Sequence, residues 1–324
     1  MAPFIDDPDT WHEFALQDPE LKQMLDSGVK PRFWNDGKLS SLPDTRERYH
    51  AVFLGDADKA RQEAGDSVHE KEISIPARDG TSIRALVYGP KDAPTDGNTA
   101  LHRRCKAYGC ICVSLDYRLS PEVKFPTAYE DCWDAIIWLS KNAVSLGADL
   151  TKGFILGGTS AGGHISIPLS HRVRDEGLSP PLTGVFLGVT PSLPPQALIP
   201  KYAPFYQSRE TLKDGMTLTS KSTALYDVAV EPDFASPLWS PLLWPTGHAN
   251  LPPTFFQVCG ADLLRDEALI YERELRLEHG TKTRVIMYPG LPHIFWYNYP
   301  SHSAAKKYVD DTCFALGWLL GRET

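Results

Sequence analysis

The chain lacks the features that mark several classes of protein in sequence. None of its apolar runs approaches the roughly 18 residues of a membrane-spanning helix. Its N-terminus, MAPFIDDPDTWHEF, is acidic and has no apolar core of a secretory signal. It has no basic block and a net charge of −8, so a nucleic-acid-binding surface is not expected. These absences predict a cytoplasmic protein with no membrane span and no nucleic-acid partner.

Cysteine is scarce, and its spacing does not indicate a disulfide framework. The cysteines are Cys105, Cys110, Cys112, Cys132, Cys259 and Cys313. Several fall within predicted buried strands or helices, where cysteine acts as a small apolar residue. We therefore expect free thiols in a reducing compartment.

The length of 324 residues allows one large core with a lid, or two domains. Residues 1–65 are helical in pattern and carry no strand signal, which predicts an N-terminal lid segment. Residues 191–250 contain many prolines and a helix around Thr219 to Val230, and they interrupt an alternation of strands and helices, which predicts a lid insertion. We therefore predict a single domain, with a core of residues 70–190 and 251–324.

The core has the pattern of an α/β protein. A β-hairpin, Glu72–Pro76 with Ser82–Tyr88, precedes strands that alternate with helices. Such alternation predicts a mostly parallel sheet flanked by helices. The predicted strands are Cys110–Leu115, Phe154–Leu156, Val185–Val189, Thr254–Cys259 and Arg284–Tyr288. The predicted helices begin near Pro126, which suits the first helical position, after Ser160, at Asp266 and near Ala305.

A candidate nucleophile lies between one of these strands and the next helix. Ser160 follows the strand at a sharp turn, with Gly158 two residues before it and Gly162 two residues after it. In such an elbow the strained turn exposes the hydroxyl, and we expect only glycine to fit on either side. The N–H of Ala161, at the start of the helix, is the candidate oxyanion donor.

Two later strand ends supply candidate partners for Ser160. Reactive groups in α/β sheets collect beyond the carboxyl ends of the strands. Asp262 follows the strand Thr254–Cys259; Asp266 competes for its role but is better placed to cap the next helix. His293 follows the last strand, whereas His164 beside the elbow and the remaining histidines are expected to be surface or packing residues. Imidazole is the base that a serine needs near neutral pH, and a carboxylate fixes its tautomer.

These motifs resemble those of the hormone-sensitive-lipase-like (α/β-hydrolase fold-3) carboxylesterase family. Five features between about residues 70 and 320 carry the resemblance: DYRLSPE at 116–122, Phe125-Pro126 before the next helix, GTSAGG at 158–163, DLLRD at 262–266, and Gly290 with His293 and Phe295. The resemblance implies an α/β-hydrolase fold with lids from the N-terminus and from an insertion after the sixth strand. It also implies hydrolysis of a small or medium apolar ester through an acyl-enzyme, without a cofactor or metal. Some fungal members, which the chain resembles most, trim esters in polyketide pathways.

One part of the family pattern is missing. Members carry a third strand ending in a His-Gly-Gly-Gly loop that donates to the oxyanion, but residues 89–109 contain neither a Gly-Gly pair nor an apolar run. The third strand and most of the oxyanion hole therefore look deleted as a unit. This should leave the Cys110 strand with an unpaired edge, or bring Ser82–Tyr88 against it, with Gly89–Ala100 irregular.

Three hypotheses follow from the deletion. The chain is a working serine esterase with a weakened oxyanion hole, a non-catalytic small-molecule binder that keeps the cleft, or a defective splice or gene-model form of such an esterase. A homodimer is an open alternative for its assembly. Retention of Ser160, Asp262 and His293 favours the working esterase.

Overall fold

The computed structural model describes residues 3–33, 38–64, 68–90 and 108–322. Within these residues the strands form two sheets, one of three strands and one of four. The strands are β1 (Val68–Pro76), β2 (Ser82–Pro90), β3 (Cys112–Asp116), β4 (Ile155–Thr159), β5 (Gly184–Gly188), β6 (Thr254–Cys259) and β7 (Thr283–Tyr288).

The first sheet is antiparallel, in the order β1-β2-β3. The predicted hairpin is confirmed, with Val68 opposite Pro90 and Pro76 opposite Ser82. Its turn is closed by Asp79, whose carboxylate accepts from the N–H of Thr81 at 3.0 Å, and by Gly80 at φ +84°. β2 also pairs with β3, so the predicted hairpin strand Ser82–Tyr88 lies against the strand that follows Cys110.

The second sheet is parallel, in the order β4-β5-β6-β7, and it carries the core of the molecule. All residues of β5 and β6 are buried, as expected for strands covered on both faces. One face packs against the N-terminal segment and the helix after β6, through Val185, Leu187, Phe256, Leu269 and Trp11. The other face packs against the last helix, through Phe186, Phe255, Ala315 and Trp318.

The two sheets are not joined by a strand among the described residues. β3 and β4 are the end strands of their respective sheets. Gly157, in the middle of β4, is exposed, in contrast to the buried strands β5 and β6. Residues 91–107, which contain most of the predicted irregular segment Gly89–Ala100, lie outside the described residues.

Helices cover both faces and form the segments predicted as lids. The described helices are α1 (Pro19–Asp26), α2 (Leu42–Ala64), α3 (Thr127–Asn142), α4 (Ala161–Asp175), α5 (Ser208–Thr211), α6 (Ser220–Val230), α7 (Arg265–Arg273), α8 (Phe295–Asn298) and α9 (Ser303–Leu319). No helix in the described ranges is long and apolar enough to cross a membrane.

The predicted helix starts are confirmed to within two residues, with one correction. Pro126 is the N-cap residue of α3 and not its first helical residue. α7 ends at Arg273, and the chain continues to Glu278 as a π-helical turn. Pro168 lies inside α4, and the helix continues through it to Asp175.

Candidate active site

Ser160 lies at the turn between β4 and α4 in the strained conformation that the motif predicts. Its φ of 54° and ψ of −114° fall outside the regions that non-glycine residues usually adopt. The turn is held because the N–H of Ser160 donates to Gly188 O at 2.7 Å, at the end of the neighbouring strand. The first turn of α4 is closed by the N–H of His164, which donates to Ser160 O at 2.9 Å.

Of the two glycines expected to be required beside Ser160, the structure requires only Gly158. A Cβ on Gly158 would collide with the backbone of Gly162, so glycine is required before the serine. A Cβ on Gly162 would meet nothing within 4 Å, so the expectation that only glycine fits there is wrong. Close packing instead involves Gly163, where a Cβ would lie 2.8 Å from Thr190 Oγ1.

Ser160, His293 and Asp262 come together at the carboxyl ends of β4, β7 and β6. His293 Nε2 lies 2.9 Å from Ser160 Oγ, and His293 Nδ1 lies 2.6 Å from Asp262 Oδ2. The other oxygen of Asp262 accepts from the N–H of Leu264 at 3.0 Å. Because Asp262 and His293 are both buried, their contact excludes water. The carboxylate favours a proton on Nδ1, which leaves Nε2 free to accept the serine proton.

Asp266 does not compete with Asp262, and it does not cap its own helix. It lies inside α7, where its Oδ2 accepts from the main-chain N–H groups of Gln207 at 2.8 Å and Ser208 at 2.6 Å. Its Oδ1 accepts from Arg265 Nε at 2.8 Å. Asp266 therefore anchors the insertion (residues 191–250) next to the loop that carries Asp262.

His164 is a packing residue, as expected. Tyr129 OH lies 3.1 Å from its Nδ1, and Trp239 O lies 2.7 Å from its Nε2. Because a carbonyl can only accept, His164 is protonated on Nε2 and accepts from Tyr129 on Nδ1. Burial lowers the pKa of His164 to about 4, so the ring is neutral near pH 7.

The candidate oxyanion donor, the N–H of Ala161, lies at the start of α4. Ala161 is the first residue of that helix, and an N–H at this position has no partner within the helix. The described residues contain no glycine loop that could supply further oxyanion donors as the His-Gly-Gly-Gly loop of the family does. They also contain no group of three His, Cys, Asp or Glu side chains that could hold a metal ion.

Two contacts on the His293 loop involve residues that sequence reasoning missed. Thr217, in the insertion, donates through Oγ1 to His293 O at 2.7 Å. The N–H of Gly290 donates to Phe14 O at 2.7 Å. A glycine directly after a strand is a weak signal for the second contact, whereas no pattern around Thr217 indicates the first.

Comparison with known proteins assigns the fold. Residues 87–297 match the family model described as the alpha/beta hydrolase fold. The chain belongs to this family. It is 39% identical to an AB hydrolase superfamily protein of Schizosaccharomyces pombe, covering 96% of each chain. It thus lies in the hormone-sensitive-lipase-like branch indicated by its motifs.

Other relatives in the family have names that state an activity. The versiconal hemiacetal acetate esterase of Dothistroma septosporum is 33% identical over 65% of this chain and 64% of its own. The crystal structure of vibralactone cyclase superposes with a TM-score of 0.85 at 30% identity, covering 96% of both chains.

The alignment to the Schizosaccharomyces pombe protein runs over 334 positions, whereas this chain has 324 residues. That relative therefore carries residues that have no counterpart here.

Proposed function

We propose that this chain is a serine carboxylic-ester hydrolase in which Ser160 is the nucleophile, His293 the general base and acid, and Asp262 the carboxylate that orients His293. The observation that carries the proposal is the continuous chain of contacts from Ser160 Oγ to His293 Nε2 at 2.9 Å and from His293 Nδ1 to Asp262 at 2.6 Å. The family membership and the strained backbone of Ser160 support it.

The chemistry proceeds through an acyl-enzyme. The proton of Ser160 moves to His293 Nε2 while Oγ attacks the ester carbonyl carbon, and the charge of the resulting imidazolium is balanced by Asp262. Nε2 then returns the proton to the departing alcohol oxygen, and the acyl group stays on Oγ. In the second half of the reaction, water gives a proton to the same nitrogen and attacks the acyl carbon. The bond from this carbon to Oγ then breaks, the acid leaves, and Nε2 returns the proton to Ser160 Oγ.

The N–H of Ala161 is the proposed oxyanion donor. It lies next to the attacking oxygen in the chain and at the positive end of α4, where developing negative charge is stabilised. Loss of one oxyanion donor typically costs about 10² to 10³ in kcat. If the family's glycine loop is absent, as the sequence indicates, a low turnover is expected.

The proposed substrate is a small or medium acyl ester of an apolar alcohol. The named relatives include the versiconal hemiacetal acetate esterase and an arylesterase of Saccharolobus solfataricus. In this chain an aromatic cluster of Phe33, Tyr49, Phe53 and Tyr297 lies beside the turn that follows His293, with Phe33 and Phe53 stacked at 5.0 Å. Phe53 is 43% exposed, so the cluster has an exposed apolar part that an apolar group of the substrate could contact.

The test combines kinetics with covalent labelling. Hydrolysis of p-nitrophenyl acetate should vanish in Ser160→Ala and His293→Ala and should fall less steeply in Asp262→Asn. Ser170→Ala is the matched control, because Ser170 is a buried serine of the same helix whose hydroxyl donates to Ile167 O. A fluorophosphonate should label the peptide containing Ser160. Full activity in Ser160→Ala would refute the mechanism, and an inactive but stably folded wild type that binds aryl esters would favour the binder.

A further inference from the structure

Three consecutive residues of the insertion connect the loops that carry Asp262 and His293. Met216 packs against the cluster that contains Leu291 and Phe295, on either side of His293. Leu218 is buried against Leu263 and Leu264, directly after Asp262. Residues 216–218, here called the bridge segment, therefore contact both of the loops that carry the candidate acid–base pair.

The middle residue of the bridge segment makes a polar contact with His293 itself. Thr217 Oγ1 donates to the main-chain carbonyl of His293 at 2.7 Å. The next residue, Ile294, has φ 46° and ψ 38°. A β-branched residue rarely adopts this left-handed conformation, which persists only where surrounding contacts enforce it. The hydrogen bond from Thr217 fixes the peptide group between these two residues.

The insertion is itself firmly attached near this point. Ser208 is buried and donates through Oγ to Leu263 O at 2.8 Å, while Asp266 accepts from its N–H. Leu212, between Ser208 and the bridge segment, packs against the same leucine cluster as Leu218. The part of the insertion that leads to Thr217 is thus attached to the start of α7, the helix that follows Asp262.

We propose that Thr217 is a positioning residue, which holds His293 Nε2 at hydrogen-bond distance from Ser160 by fixing the carbonyl of His293. The proposal rests on the esterase function proposed above. A displacement of a catalytic group by about 1 Å can cost up to about 10² in rate without changing substrate binding. The effect of removing the hydroxyl should therefore appear in kcat and leave KM unchanged.

The experiment compares three threonine variants in the full chain. Thr217→Val keeps the shape and removes the donor, Thr217→Ser restores the donor, and Thr223→Val removes a hydroxyl that donates within its own helix α6, to Ser220 O at 3.0 Å. With p-nitrophenyl acetate, we expect Thr217→Val to lower kcat and the rate of fluorophosphonate labelling about 10-fold. KM should change less than twofold. Thr217→Ser and Thr223→Val should remain close to wild type.

The outcomes separate this proposal from the function on which it rests. An active Ser160→Ala would refute the esterase mechanism itself. If the Ser160→Ala variant were inactive and the Thr217→Val variant were fully active, only the proposed role of Thr217 would be refuted. If Thr217→Val and Thr217→Ser lost activity in proportion to a lower Tm, the contact would be structural and the positioning role would be wrong.

Discussion

The carbonyl oxygen of Phe14 accepts a hydrogen bond of 2.7 Å from the N–H of Gly290, three residues before His293. The two backbones approach so closely that a Cβ on Gly290 would collide with Leu16 O and with the N–H of Asp18. A Cβ on Gly260, two residues before Asp262, would collide with the carbonyl of Phe14 in the same way. The N-terminal segment therefore packs on the backbone of both loops, and its removal should disturb the candidate site as well as its cover.

Replacing Gly290 tests this close approach. Gly290→Ala should destabilise the protein for two reasons, its φ of +69° and the collision with the N-terminal segment. Gly280→Ala is the matched control, because Gly280 has φ +65° with nothing within 4 Å of a Cβ. The control should cost about 1–2 kcal/mol of unfolding free energy, and Gly290→Ala about 2 kcal/mol more. Urea unfolding measures both, and equal losses would show that the close approach of Leu16 and Asp18 to Gly290 contributes nothing.

The buried carboxylate of Glu267 anchors the beginning of the insertion. It accepts from the N–H groups of Ser192 and Leu193, both at 2.9 Å, and from Arg209 Nε at 2.6 Å. Glu267 itself is fully buried. Glu267→Ala should therefore cost about 3–5 kcal/mol, because it leaves the guanidinium of Arg209 without its partner inside the protein.

An exposed ion pair provides the comparison for Glu267. Lys22 and Asp26 lie one helical turn apart, with side chains 59% and 65% exposed. Asp26→Ala should change the unfolding free energy by less than about 1 kcal/mol. If both variants behaved alike in urea unfolding, the Glu267–Arg209 pair would not hold the insertion in place. Limited proteolysis within residues 191–250 should accelerate only in the Glu267 variant.

The neutral ring of His164 makes stability depend on pH. Burial lowers its pKa to about 4 in the folded state, below the ordinary value of 6.5. As pH falls from 6.5 towards 4, the unfolded state takes up a proton that the folded state does not, so acidification favours unfolding. The contribution of this residue is at most about 1.4 kcal/mol per pH unit.

Urea unfolding of wild type and His164→Gln between pH 5 and 6.5 measures this contribution. The free energy of unfolding should rise with pH in both proteins, with a smaller slope in the variant. Part of the slope should remain, because burial also lowers the pKa of His171 to about 3 and of His248 to about 4. An unchanged slope would mean that His164 is already charged in the folded protein.

Local chemistry made much of the candidate site predictable from sequence. Strand, turn and helix around Ser160 follow from short-range patterns, and the positions of Asp262 and His293 follow from the rule that parallel strands end at one edge. The contact geometry of Ser160, Asp262 and His293 agrees with that prediction.

The remaining contacts depend on long-range packing that no local pattern encodes. Asp266 was expected to cap its own helix, yet it accepts from main-chain groups of residues 207 and 208, which lie far from it in sequence. Thr217 contacts His293 only because the insertion folds back over two loops. Gly162 looked essential by motif, whereas a Cβ there would meet nothing within 4 Å and the positions that exclude a Cβ are Gly158 and Gly163.

The last prediction follows from the separation of the strands into two sheets. β3 pairs only with β2, and β4 only with β5, among the described residues. Unpaired strand edges template association between chains, so the protein should be less stable and more prone to aggregate than relatives with a continuous sheet. Gly157 on the exposed part of β4 lies three residues before Ser160, so the open edge also borders the nucleophile.

Insertion of the family's third strand and its glycine loop tests the prediction for the edges of β3 and β4. Insertion of a family-like strand ending in His-Gly-Gly-Gly between Ala100 and Leu101 should raise both Tm and turnover of p-nitrophenyl acetate, because it supplies a partner for the open edges and additional oxyanion donors. A glycine-serine insertion of equal length is the control and should raise neither. If the unmodified chain were monomeric, cooperative in unfolding and fast on esters, and the strand insertion damaged it, the prediction of an unpaired edge and a weakened oxyanion hole would be wrong.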